Sequence, residues 1–203
     1  MSGCRDPLAH RRRRRAQYDP EGGDDLRARL VGSAMTEGDG GLLGALGQRL
    51  VALGLDCEVI EGTDATPELA VRLSSNEHGQ SLELQMRFLG DLTDPSVLQY
   101  SVRLPTRARV GSTANLTRFL NGANASLPIG SFGVIEDDGI LFFRANIPVV
   151  VDPLDVHLVH WTVKMIDYIV GSLGTLIEQL AMGLEYDLAR RLLDETLAHL
   201  MDS

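Results

Sequence analysis

Asp155, His157 and His160 are the residues best spaced to do chemistry together. Histidines three apart share one face of a helix, and a carboxylate just before them would complete three ligands for a divalent metal, or a base beside two imidazoles. A structural zinc site wants four ligands, and no second cluster of His or Cys in the chain supplies more. The simpler reading makes Asp155 the acid that opens a helix and places the histidines on its surface. No catalytic, cofactor-binding or metal-ligating residue is therefore assigned, and a small-molecule or metal-dependent enzyme built on Asp155, His157 and His160 stands as the alternative.

Other candidates reduce to scaffold. Gly38-Asp39-Gly40-Gly41-Leu42-Leu43-Gly44 is rich in glycine, but no strand precedes it and no Lys-Ser/Thr pair follows, so it lacks the context of a phosphate-binding loop. Ser131, within Gly130-Ser131-Phe132-Gly133, lacks the spacing of a nucleophile elbow. Glu136-Asp137-Asp138-Gly139 is too short for a helix-loop-helix calcium loop and reads as a hairpin turn, with Gly139 supplying the positive φ. Cys57 has no basic neighbour in sequence to lower its pKa, and its simplest role is in the core.

The elements that must position these residues follow from periodicity. Leu43, Leu46, Leu50 and Leu53 predict a helix from Gly41 that stops at Gly54. Asp56 to Glu61 predicts a short strand. Three segments then alternate with period two, through Leu69, Val71 and Leu73, then Leu82, Leu84, Met86 and Phe88, then Leu98, Tyr100, Val102 and Leu104. They predict an antiparallel meander with one wet face. A second helix opens at Ser112/Thr113 and turns Leu116, Phe119 and Leu120 inward, and the hairpin around Gly139 follows. Its second strand carries Leu141, Phe142, Phe143, Ala145 and Ile147, which predicts cover on both sides. From Asp155 a long helix buries Leu158, Val159, Thr162, Met165, Ile166, Ile169 and Leu173. Trp161, Val163, Tyr168 and Val170 add apolar surface beyond that stripe, more than one sheet can cover. After Gly183 a last amphipathic helix runs from Tyr186 to Met201.

Composition bounds the function. The 203 residues carry a formal charge of −9, with 5% aromatic residues. Residues 1–34 hold eight arginines, including Arg11 to Arg15, against five acids, which leaves 11 basic and 23 acidic residues in the remainder, a net of −12. Such a body repels nucleic acid and anionic lipid, and neither is an expected partner. The apolar tracts are too short or too interrupted by charge to span a bilayer. No apolar stretch follows the arginines, so export is not expected, and Cys4 and Cys57 do not make a disulfide framework. A cytoplasmic protein is expected. Residues 1–38 are expected to be a disordered, Arg-rich leader, with Met35 as an alternative start.

The order helix, antiparallel strands, helix, hairpin, long helix resembles the YbjN-like family, which shares the fold of type III secretion chaperones. The likeness rests on Leu120-Asn121 and Asn124 closing the middle helix, on Phe132 and Gly139 in the hairpin, and on the apolar strand Leu141 to Ile147 leading to Asp155. It covers residues 39–182, and residues 183–203 form an added C-terminal helix. The resemblance implies an α+β domain, a mostly antiparallel sheet packed by helices, that binds protein segments and commonly forms a homodimer. The expected function is that of a non-enzymatic chaperone-like or adaptor protein, with a regulatory role open. Its partners are a protein client and a second copy, met through Trp161, Val163, Tyr168 and Val170.

Overall fold

The alternating segments become adjacent strands of one sheet in the computed structural model. It describes residues 39–62, 66–75, 79–90, 96–109, 111, 113–151 and 153–202, all within the unit Glu37–Ser203. The expected leader, residues 1–38, and the expected N-cap Ser112 lie outside the described residues. The strands are β1 (Cys57–Glu61), β2 (Pro67–Ser75), β3 (Ser81–Leu89), β4 (Ser96–Arg107), β5 (Ser131–Ile135) and β6 (Ile140–Val149). They form a six-stranded sheet in the order β1-β2-β3-β4-β6-β5, and every neighbouring pair is antiparallel. The helices are α1 (Asp39–Ala52), α2 (Thr113–Asn124), α3 (Val156–Ala181) and α4 (Tyr186–Asp202). The fold is α+β, as the periodicities predict.

Register lines the apolar residues of the meander into rows. Leu69 lies opposite Met86, Met86 opposite Tyr100 and Tyr100 opposite Ala145, and all four are buried. The helices pack on this face. On α1, Leu43, Leu46 and Leu50 are buried, and Gly47 lets the helix settle on β2, where an added Cβ would come within 2.9 Å of Leu69. The long helix α3 packs against β2, β4, α1 and α2, and α4 returns along α3 and α2 with Ala189 and Leu193 buried. Arg118 on α2 places its guanidinium over the Tyr186 ring, 5.0 Å from its centre, where α4 begins.

The opposite face of the sheet is polar. Glu68, Arg87, Gln99 and Asn146 form a ladder across β2, β3, β4 and β6. Arg87 pairs with Glu68 at 3.6 Å and donates to Gln99 at 3.1 Å, and Gln99 donates to Asn146 at 3.1 Å. Here the expectation for β6 is corrected. Leu141, Phe143, Ala145 and Val149 are buried, but Phe142 and Ile147 are only half-buried and Arg144 is exposed. Phe142 lies across Gly133 on β5, where a Cβ would run into its ring, and the Arg144 guanidinium sits 5.1 Å from the ring centre. An aromatic over a glycine and a cation over the aromatic take the place of a second layer.

Candidate functional site

Asp155 sits in extended backbone, φ −74° and ψ 94°, and its Oδ1 accepts from the backbone N–H groups of His157 at 3.0 Å and Leu158 at 3.1 Å. That is a helix N-cap, and it engages one oxygen of the carboxylate that a metal or acid-base reading of this segment needs. His157 is exposed and His160 half-buried. Among the described residues no group of three His, Cys, Asp or Glu is placed to hold a metal ion. The remaining candidates also fall on scaffold. Ser131 is exposed at the start of β5, and Glu136, Asp137 and Asp138 form an exposed turn closed by Gly139 at φ 66°. Cys57 lies beside a depression of about 340 Å³ that Glu58, Ala70, Arg72 and Glu83 also line. Its thiol donates to the Gly47 carbonyl at 3.4 Å. Burial pushes its pKa up, the Asp56 carboxylate adds to this, and the backbone at Val51 pulls slightly the other way. A thiol made harder to ionise is the reverse of an activated nucleophile.

The long helix carries a surface that chemistry does not explain. Its rotation is marked by Asp167, whose carboxylate accepts from the Ser74 backbone N–H at 2.9 Å and the Ser74 hydroxyl at 2.8 Å, and by Glu178, which accepts from the Thr106 hydroxyl at 3.0 Å. The Asp167 contact ties one flank of α3 to the end of β2. At 100° per residue the direction away from that flank belongs to Leu158, Trp161, Met165 and Tyr168, at steps of three, four and three. Trp161 is 52% and Tyr168 46% exposed, Leu158 is also exposed, and Met165 is half-buried. The four form one apolar seam along about 15 Å of helix, given a rise of about 1.5 Å per residue. His157 and Lys164 are exposed beside it.

The seam differs in membership from the expected one. Val163 and Val170, expected as interface residues, are each 1% exposed and belong to the core. Their side of the helix turns into the core, whereas Leu158 and Met165, expected inward, turn toward the surface. The sequence holds the seam's spacing, but a helix apolar on several sides cannot be oriented from its own pattern. Contacts distant in the chain do so, Asp167 with Ser74, 93 residues apart, and Glu178 with Thr106, 72 residues apart. The C-terminal helix packs on α3 and yet leaves Trp161 and Tyr168 exposed.

A six-stranded antiparallel sheet with helices on one face and a polar ladder on the other is a broad architectural class. No protein-family model, curated protein or solved structure matches the chain. Among the described residues, no helix is long and apolar enough to cross a membrane.

Proposed function

We propose that this protein is a non-enzymatic, chaperone-like or adaptor module of the YbjN-like kind, working in the cytoplasm, that binds other protein chains. The observation that carries the reading is the seam of Leu158, Trp161, Met165 and Tyr168. Exposed aromatic residues aligned on a rigid helix are the composition of protein-binding hot spots, since each brings a large apolar area at little conformational cost. Contiguous apolar surface of this kind marks interaction sites on soluble proteins. The occupant favoured for the seam is a second copy of the chain, because a straight helix face can meet itself about a two-fold axis, the commonest closed arrangement. That leaves the sheet free for clients.

Sedimentation of the full chain at micromolar concentration tests this. The wild type is expected to sediment as a dimer, and the variant carrying Trp161→Asp and Tyr168→Asp as a monomer with an unchanged circular dichroism spectrum. A strictly monomeric wild type, with the same mass in the double variant, would overturn the reading.

A further inference from the structure

We propose that the outer edge of β1 is the docking strand for a basic, extended segment of a partner protein, which adds to the sheet as a further strand. The inference rests on the protein-binding reading above and names the place and the chemistry of the client.

Register decides which backbone groups are on offer. Arg72 N–H donates to the Asp56 carbonyl at 2.8 Å, so Asp56 and Arg72 form a hydrogen-bonded antiparallel pair. By alternation Glu58 and Ile60 turn their N–H and C=O groups toward β2, and Cys57, Val59 and Glu61 turn theirs outward. β1 ends the sheet, and it has no lysine, proline or bulge of the sort that protects edge strands. The other edge differs. The Asn124 side chain donates to the Phe132 carbonyl at 2.9 Å and accepts from the Phe132 N–H at 2.8 Å, so a side-chain amide already occupies the outward groups of β5 at that residue. At the β1 edge no such side-chain cap is present among the described residues.

Side chains and charge select the occupant. On the helix side of β1, Val51 is 52% and Val59 46% exposed, which suits an apolar residue at alternate positions of an incoming strand. On the other side stands Glu58, and Glu61 follows Val59 on the helix side at the strand's end; both are exposed. The Asp56 carboxylate is engaged by Arg72 at 2.6 Å, whereas Glu58 and Glu61 have no ion-pair partner among the described residues. Two copies pairing β1 with β1 would gather these carboxylates against one another, so the charge that invites a basic strand also disfavours self-association here. The fitting client alternates apolar residues with Lys or Arg.

The test uses the isotopically labelled full chain and the capped heptapeptide Lys-Val-Lys-Val-Lys-Val-Lys, with its Glu-Val counterpart as control. Amide shifts in the lysine peptide's complex are expected at Cys57 to Glu61, with slowed hydrogen exchange at Val59, and none with the glutamate peptide. Val59→Pro removes an outward N–H while leaving the bonds to β2, as edge prolines do, and is expected to weaken binding at least tenfold. Glu58→Lys with Glu61→Lys is expected to exchange the preference toward the glutamate peptide. Shifts elsewhere, no shifts, or an undiminished affinity in Val59→Pro would overturn the proposal. The variant Trp161→Asp with Tyr168→Asp separates the two readings. Its peptide binding is expected to match the wild type, so a dimer that ignores the peptide defeats the edge alone, and a monomer that binds it at β1 defeats the seam alone.

Discussion

Tyr100 places a fully buried hydroxyl in the core without a hydrogen bond of ordinary geometry. Thr162 is near enough to favour the phenolate slightly, but its hydroxyl donates to the Leu158 carbonyl at 2.8 Å. Burial dominates and raises the phenol's pKa well above its usual range. In the unfolded chain tyrosine ionises near pH ~10. Above that pH the unfolded state gives up a proton that the folded state keeps, so stability falls as pH rises, while below it the group contributes no slope. Tyr100→Phe is therefore expected to be neutral or stabilising at pH 7, since an unsatisfied buried hydroxyl is removed, and to flatten the loss of stability above pH ~10. Urea unfolding at the two pH values checks both; an equally steep alkaline loss in the variant would refute the assignment. Asn124 makes the contrary case, because both ends of its amide are used by Phe132. Asn124→Ala should cost about 1–3 kcal/mol and speed exchange of the Phe132 amide, because it leaves two backbone groups without partners.

At the scale of elements, the strands were the legible part. Leu84, Met86, Leu98, Tyr100 and Val102 alternate cleanly because one face of their strands meets helices and the other meets water. Where cover depends on a neighbour's side chain, the pattern misleads. Phe142 reads as buried, yet it is filling the space over Gly133 on an otherwise open face. The bond between Asn124 and Phe132 had no signal in spacing. In α3 the stripe could be recognised but not its rotation, so two of four expected interface residues, Val163 and Val170, proved to be core. Substitution separates the two sides of that helix. Val163→Asp places an unpaired charge in the core and is expected to cost several kcal/mol, enough to unfold a domain of ordinary stability. Trp161→Asp, measured in dilute protein where no dimer forms, should stay within about 0.5 kcal/mol of the wild type. Similar losses in both variants would mean that Trp161 also supports the monomer's core.

For the whole molecule, the net charge of −9 gives the two proposed surfaces opposite responses to salt. Copies of an acidic chain repel one another at long range, and an apolar seam does not itself weaken when ions are added. Raising the salt from about 0.1 M to about 1 M shortens the screening length from about 10 Å to about 3 Å, which removes most of that repulsion while leaving burial of Trp161 and Tyr168 intact. Dimerisation should therefore strengthen with sodium chloride. Capture of a lysine-rich strand by Glu58 and Glu61 depends on attraction between exposed charges, and the same addition should weaken it. Sedimentation and peptide titration across one salt series measure both trends on one preparation. A dimer that dissolves as salt rises would show that ion pairs hold the copies together, and the apolar seam of α3 would then need a different occupant.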